Sequence, residues 1–169
     1  MALLEILVFP DKRLRKIANE IVDINSKIKS LASSMLETMY ENNGIGLAAT
    51  QVNVHKRLIV VDVSEEKNKP IILINPHVNI LSKEMVAYEE GCLSVPGFFE
   101  EVKRNATVEI LYKDLSGEAK VMYPSGVESV VIQHEIDHLD GKVFVDYLSS
   151  LKREMIKKKL IKSQDKNTR

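Results

Sequence analysis

Residues 133–141 of the chain read QHEIDHLDG, and within them HEIDH places two histidines four positions apart. On a helix, this spacing points the imidazoles of His134 and His138 at one metal ion, and Glu135 can reach a water on that ion. Such a helix is typical of zinc peptidases. It provides two ligands and a base, so a third ligand and a substrate groove must come from other parts of the chain.

The residues around the motif predict a helix from about residue 126 to residue 140. Ser125 and Glu128 have the spacing of a capping box, and Gly141 stands where a left-handed C-terminal cap is expected. Three apolar residues share the helix face of the histidines: Val127, Val130 and Val131. This face either packs against the core or lines an apolar pocket beside the metal.

The third ligand distinguishes the classes of hydrolase that use this motif. An extended HExxHxxGxxH motif would have its last histidine at position 144, which is Phe144 in this chain. Another class uses a downstream glutamate, but the only candidate, Glu154, lies among basic residues that indicate an exposed surface. Neither class therefore fits the sequence.

Cys92 is the favoured third ligand. The remaining histidines, His55 and His77, lie in strand-like segments, where surface or structural roles are expected. Cys92 stands in EEGCLSVPG, where Gly91 permits close approach of the backbone. A cysteine thiolate and two imidazoles together are suitable ligands for a divalent transition metal.

The composition predicts one globular domain at residues 1–150 and a basic tail at residues 151–169. The 169 residues are 44% apolar and 28% charged, and the single cysteine excludes an intramolecular disulfide, which fits a reducing compartment. The N-terminus lacks the features of a signal peptide, and no apolar run approaches the ~20 residues that span a membrane. We therefore expect a cytoplasmic monomer that makes no membrane contact.

Apolar periodicity predicts a helix after Asn25 that ends near the Asn-Gly pair at residues 43–44. Strands are expected at residues 57–63, 71–75 and 78–88, with Pro76 separating the last two, and the DLSG segment joins two strands in a hairpin. The tail carries eight Lys or Arg residues against two acidic ones. Its apolar residues give a partly amphipathic helical pattern: Leu151, Met155, Leu160 and Ile161. The tail is either a solvated terminal helix or a surface that contacts ribosomal RNA through phosphates.

Three blocks of sequence, in this order, resemble the motifs of the peptide deformylase family: GIGLAATQ at 44–51, EGCLS at 90–94 and QHEIDH at 133–138. The similarity runs from FPDKRLRK to about residue 151. The resemblance implies an α+β fold, in which mixed, mostly antiparallel sheets surround a central metal-binding helix and a C-terminal helix follows. It also implies hydrolytic removal of the formyl group from N-formylmethionine at the N-terminus of nascent polypeptides.

The resemblance also implies the metal site and the base. Cys92, His134 and His138 would bind one divalent metal, and Glu135 would take a proton from a metal-bound water and give it to the departing amine. The ligands suit Fe²⁺, Zn²⁺, Co²⁺ or Ni²⁺. The resemblance favours Fe²⁺ in the cell, with replacement by another of these ions during handling.

The remaining roles concern the oxyanion and the substrate. The resemblance implies that the side-chain amide of Gln51 and the backbone N–H of Leu93 stabilise the oxyanion, although Gln51 could instead satisfy local backbone groups. Glu90 and Arg104 would hold the strand that carries Cys92. The formylated peptide would add as a strand at residues 45–47 and place its methionine beside the valines. The residues expected to contact it are Ile45, Gly46, Gly91, Val127, Val130 and Val131.

Three other functions share parts of this pattern. A zinc endopeptidase would cleave internal peptide bonds, and a cysteine hydrolase would use Cys92 as its nucleophile and survive chelators. A metal-stabilised RNA-binding module would not need the carboxylate of Glu135. The chain departs from the common family pattern at Glu128, Asn105 and Val131, all at the expected rim of the pocket and none among the expected ligands, base or oxyanion donors.

Overall fold

The computed structural model describes residues 2–167, with side chains as far as residue 165. Within this range there are three α-helices: α1 (Ser26–Glu41), α2 (Gly126–Leu139) and α3 (Ser150–Asn167). The strands are β1 (Gly46–Ala48), β2 (Leu58–Val61), β3 (Ile71–Ile80), β4 (Met85–Cys92), β5 (Val95–Asn105), β6 (Val108–Lys113) and β7 (Ala119–Met122). Short 3-10 turns lie at Lys12–Arg15, Ala49–Val52 and Phe144–Tyr147.

The strands form two sheets on either side of the motif helix. Strands β1, β2, β3, β6 and β7 form a five-stranded sheet in the order β1-β2-β3-β6-β7, and β4 pairs with β5 in a separate ribbon. These strand pairs are antiparallel, and an isolated parallel bridge joins Asn19 to Lys56. The predicted α+β fold, with mostly antiparallel strands around the motif helix and a C-terminal helix, is therefore confirmed.

Helix α2 is buried on most of its surface, which explains its central position. Ile132, Ile136 and Leu139 pack in one core cluster with residues of the five-stranded sheet. The residue after its C-terminal cap, Gly141, has φ +76°, as expected of a left-handed cap, and a Cβ there would lie 2.5 Å from the carbonyl oxygen of Arg15. Glycine is therefore required for the N-terminal segment to lie against the end of the motif helix.

The structure confirms α1 and the β6–β7 hairpin and corrects two strand boundaries. The side chain of Asn25 accepts a hydrogen bond from the N–H of Ile28 over 3.1 Å and caps α1 as predicted. Pro76 does not separate strands but lies within β3, where the register with β6 shifts between Ile74 and His77. A proline is accommodated at such an irregularity because its missing N–H removes no ladder bond. The expected strand at 78–88 is divided by a turn before β4.

The predicted capping box is wrong. Ser125 is the N-cap of α2, but within residues 2–165 its side chain accepts no hydrogen bond from the helix. Its backbone is extended, with φ −130°, and the following Gly126 has φ +60°, which a residue with a side chain rarely adopts. Glu128 instead lines a shallow surface depression with Lys69 and Pro70.

The tail forms a helix, but of the four predicted apolar residues within it Leu160 is buried and the other three are exposed. Ile156 and Leu160 pack in a core cluster with Phe144 and Val95, whereas Leu151 is 81% exposed. Met155 and Ile161, which were also expected to be part of the apolar stripe, are exposed as well. The side chain of Lys166 and the whole of Arg169 lie outside the described residues. Among the helices of residues 2–167, none has the length and apolar character needed to cross a membrane.

Candidate metal centre and active site

The three predicted metal ligands converge on one point. The sulfur of Cys92 and one nitrogen each of His134 and His138 all lie within 4.8 Å of one another, and Cys92 Sγ is 3.3 Å from His138 Nε2. Cys92 ends β4, and the histidines lie one turn apart on α2, so the site joins the two-stranded ribbon to the central helix. Both histidines are buried, which excludes competing solvent from two of the three ligands.

A buried ion-pair network orients His134. Its Nδ1 donates to Glu90 Oε1 over 2.9 Å, which leaves Nε2 free to bind a metal. Arg104 donates to both carboxylate oxygens of Glu90, from Nε over 2.7 Å and from Nη2 over 2.9 Å. Burial by itself would raise the pKa of Glu90, but the hydrogen bonds from His134 and Arg104 hold that pKa below its ordinary value. The predicted Glu90–Arg104 partnership is therefore present.

Two further residues, Asp137 and Tyr147, complete this network, and neither was among the predicted site residues. Arg104 also donates from Nη1 to Asp137 Oδ2 over 2.8 Å, and the hydroxyl of Tyr147 donates to the same oxygen over 2.7 Å. The guanidinium lies 5.0 Å from the centre of the Tyr147 ring. Asp137 lies inside the HEIDH motif, where its role could have been suspected, but Tyr147 has no local signal.

The carboxylate of Glu135 lies beside the ligands without a partner for one of its oxygens. Its Oε1 is 3.5 Å from His134 Nε2, and Oε2 has no hydrogen-bond partner within residues 2–165. Only 2% of the residue is exposed, and this burial raises the pKa of Glu135 to about 7. A metal cation bound nearby would attract the carboxylate and lower that pKa again. With a metal bound, the carboxylate would therefore be ionised at neutral pH, which is the form that accepts a proton.

The charges around the ligands fit a bound cation. Burial lowers the pKa of His138 well below its ordinary value, so its ring is neutral, which is the form that binds metals. For His134, burial also acts to lower the pKa, but Cys92, Glu90 and Glu135 raise it well above the ordinary value. The groups that raise the pKa of His134 would also attract a metal cation. One sulfur and two imidazole nitrogens are a donor set for a divalent transition metal.

Gln51 extends from the 3-10 turn after β1 and is 1% exposed. Its Oε1 accepts a hydrogen bond from the N–H of Ala48 over 2.9 Å, which fixes the orientation of the amide. Its Nε2 donates to Ser94 Oγ over 3.0 Å and lies 3.4 Å from Cys92 Sγ. The two ends of the side chain thus fulfil different tasks: the oxygen satisfies local backbone, and the NH₂ group faces the ligands.

Two of the predicted substrate residues, Gly46 and Val131, meet where β1 packs closely on α2. A Cβ on Gly46 would lie 2.8 Å from Val131 Cγ1 and 3.0 Å from Glu135 Cγ, so the helix approaches β1 because this residue is glycine. Val130 and Val131 are buried, whereas Ile45 and Val127 are about half exposed and lie where a ligand can reach them. The structure therefore brings the edge strand, the valine stripe and the base together.

Comparison with known proteins decides the family of this fold and site. The model of the polypeptide deformylase family matches residues 3–154. The chain belongs to this family. The peptide deformylase of Azotobacter vinelandii is 56% identical over 162 residues, 96% of each chain, and that of Cellvibrio japonicus is 50% identical over the full length of both. A solved peptide deformylase structure from Ehrlichia chaffeensis, 38% identical, superposes with a TM-score of 0.94 over 99% of this chain and all of that one.

A second solved peptide deformylase, from Legionella pneumophila, is 40% identical and has a TM-score of 0.92 over 99% of both chains. Peptide deformylases remove the N-formyl group from nascent peptides, and this is the reaction of the present chain. Membership also decides against the endopeptidase and the non-catalytic RNA-binding alternatives. The extended-motif position is filled by Phe144, whose ring stacks on His134 with centroids 6.0 Å apart. His55 and His77 bond to Asn53 and Asn79 and take no part in the ligand cluster.

Proposed function

We propose that this deformylase hydrolyses the formyl amide with Glu135 as proton acceptor and donor, beside a divalent metal held by Cys92, His134 and His138. The observation that carries the proposal is the buried Glu135 carboxylate, which has one oxygen unpartnered among the described residues and lies next to the ligand nitrogens. When bound, the metal supplies a water whose pKa is lowered to about 7. The residues of the chain then move protons and hold the substrate.

Glu135 performs both proton transfers. Its free Oε2 accepts a proton from the attacking water, and the same carboxyl then protonates the amine that leaves as the new N-terminus. Formate and a free methionyl N-terminus are the products.

Gln51 and Leu93 stabilise the negative charge that develops on the formyl oxygen. The Nε2 group of Gln51 is aimed at the ligand cluster because Ala48 holds the other end of the amide. The backbone N–H of Leu93 follows Cys92 directly and supplies the second donor. Donors that are fixed before the reaction stabilise such a charge without reorganisation.

The formylated peptide adds to the open edge of the five-stranded sheet. Within residues 2–167, β1 pairs only with β2 in that sheet, and the carbonyl oxygen of Ile45 accepts a hydrogen bond from the N–H of Asp62, which follows β2. By the alternation of an antiparallel strand, the backbone groups of Gly46 face the opposite, open side. A peptide there lies between β1 and Gly91 of β4. Its methionine side chain then contacts the remaining residues of the predicted pocket: Ile45, Val127, Val130 and Val131.

The donor set of one thiolate and two imidazoles suits several metals, and we assign Fe²⁺ in the cell. Zn²⁺, Ni²⁺ or Co²⁺ can replace it in a purified sample. The protein acts as a cytoplasmic monomer, with residues 1–150 as its catalytic domain and residues 151–169 as its basic tail.

The exposed lysines of α3 contact ribosomal RNA and bring the site to nascent chains. Lys158, Lys159 and Lys162 are exposed, while Ile156 and Leu160 hold the helix on the domain. Clustered lysines bind phosphates with a strong dependence on salt. Replacing the three lysines by glutamine should abolish cosedimentation with ribosomes at low salt, and the same change at the exposed Lys27, Lys29 and Lys83 should not. Unchanged cosedimentation of the α3 variant would refute this contact.

The test of the proposed function is an anaerobic assay of formate release. Formyl-Met-Ala-Ser is compared with an unformylated, end-blocked peptide of the same sequence, with and without a chelator. We expect formate from the first peptide, no cleavage of the second, and loss of activity with the chelator that added Fe²⁺ restores. Cleavage of the blocked peptide without formate release would contradict the proposal, and activity that survives complete metal removal would point to Cys92 as a nucleophile.

A further inference from the structure

The ribbon of β4 and β5 contains a large bulge next to the metal ligand Cys92. Cys92 pairs with Val95 and Glu90 pairs with Glu100, so residues 96–99 of β5 stand opposite the single residue Gly91. The extra residues are accommodated by a turn at Gly97, where φ is +85°. Such bulges redirect side chains, and they are common beside active sites.

The bulge sends two adjacent aromatic rings to different environments. Phe98 packs in the core cluster that also contains Val95, whereas Phe99 is 63% exposed. The exposed ring nevertheless has a defined position, because it covers the outward side of Gly91. A Cβ built on Gly91 would lie 2.5 Å from Phe99 Cε1 and 2.7 Å from Cδ1. Gly91 therefore lets the Phe99 ring lie directly on the backbone of β4.

The alternation of side chains along β4 places Phe99 on the face opposite the metal. The side chains of Glu90 and Cys92 contact the histidines of α2. The position between them, Gly91, faces the other way, and Phe99 lies on that side. A substrate strand that directs its methionine toward α2 must direct its next side chain to the same outward face.

We propose that Phe99 contacts the second residue of the formylated peptide and makes the enzyme prefer apolar and aromatic side chains at that position. The inference rests on the proposed pairing of the substrate between β1 and Gly91. Acidic side chains are disfavoured there, because Glu89 and Glu101 stand directly opposite each other on the outward face and both are exposed. The contact is distant from the scissile bond, so it affects KM more than kcat.

The test measures kcat/KM for formyl-Met-Xaa-Ser with Phe, Leu, Ala or Asp as Xaa. In the wild type, we expect the Phe peptide to exceed the Ala peptide by about three- to tenfold, which is the range expected of one aromatic contact. Phe99→Ala should reduce this ratio to near one, mainly through KM, and Phe99→Tyr should preserve it. Ile80→Ala is the matched control, because Ile80 is 60% exposed on β3 and belongs to no part of the site.

Each outcome of the test has a distinct meaning. A Phe-to-Ala ratio that is unchanged in Phe99→Ala would overturn the inference alone. An equal loss for all four peptides would also overturn it, because it would mean that Phe99 only supports the backbone of Gly91. Absence of formate release from every peptide by the wild type would overturn the proposed function and this inference together.

Discussion

The Nδ1–H of His134 donates to Glu90 Oε1 over 2.9 Å, and this bond fixes which nitrogen of the ring faces the metal site. Arg104 holds the same carboxylate with two hydrogen bonds, and Asp137 holds Arg104 in turn. Partners of this kind orient a metal ligand and increase its basicity. The metal affinity of the site therefore depends on residues that touch no metal.

The first prediction concerns Glu90→Gln. The NH₂ group of the new amide would face the N–H groups of Arg104, and two hydrogen-bond donors cannot bond to each other. The buried guanidinium would then keep Asp137 as its one carboxylate partner among the described residues. We expect metal affinity to fall on the order of 10- to 100-fold and the free energy of unfolding to fall by about 3 kcal/mol or more. Chelator competition at low temperature and urea unfolding measure the two effects. Glu109→Gln, at a partly exposed glutamate bonded to Asn79 and Tyr123, is the control. Wild-type metal affinity in folded Glu90→Gln would be inconsistent with the orienting role.

The second prediction concerns Gly46→Ala. The new methyl group would lie 2.8 Å from Val131 Cγ1 and 3.0 Å from Glu135 Cγ, so the helix or the base must shift. A displacement of this size at a base should lower kcat/KM on the order of 10- to 100-fold. Adding Val131→Ala should restore part of the loss, because it removes the nearest obstructing atom. The single variant Val131→Ala is the control. A double variant whose kcat/KM is as low as that of Gly46→Ala would argue against this steric explanation.

The third prediction concerns the pH dependence of stability at the pair of Tyr40 and Asp62. The Tyr40 hydroxyl donates to Asp62 Oδ2, and Asp62 follows β2, where its N–H bonds to Ile45 at the open edge strand. Burial, together with the hydrogen bond to Asp62, raises the pKa of Tyr40 to about 12. Because the folded-state pKa lies above the ordinary value of about 10, this contribution is complete below pH 10 and is lost as the pH rises toward 12.

Tyr40→Phe should therefore lower the free energy of unfolding by about 1–3 kcal/mol at pH 7, the range for a hydrogen bond to a charged group. The difference from the wild type should shrink between pH 10 and pH 12, as followed by urea unfolding across that range. Tyr123→Phe removes an exposed hydroxyl bonded to Glu109 and should change stability much less. A difference between wild type and Tyr40→Phe that stays constant up to pH 12 would show that Tyr40 does not titrate as described.

The sequence predicted the parts of the site that depend on spacing within one element. His134, Glu135 and His138 share a helix turn, so their relative positions follow from helix geometry alone. Cys92 lies more than 40 residues away in sequence, and its type and its neighbours, together with the family motifs, made it the favoured ligand. The ligand cluster agrees with that prediction.

Features that depend on packing between distant elements could not be predicted in this way. Tyr147 meets Asp137 because the chain folds back after α2, and no local pattern indicates that contact. The sequence of α3 predicts the burial of Leu160 but not that of Ile156, because a lysine-rich helix has a weak apolar stripe and packing against residues of β5 and the 3-10 turn at Phe144–Tyr147 decides its orientation. Pro76 predicts a strand end, but the irregularity that accommodates the proline depends on the pairing of β3 with β6, which no local pattern indicates.

The central claim is that Glu135 moves the protons while the three ligands hold the metal independently of it. The most direct test measures metal content and formate release for Glu135→Gln in parallel with the wild type, under anaerobic conditions. Glutamine preserves the shape of the side chain but cannot accept the proton, so we expect wild-type metal content and a kcat lower by about 10²- to 10⁴-fold. A variant that keeps its metal and releases formate at close to the wild-type rate would contradict the account.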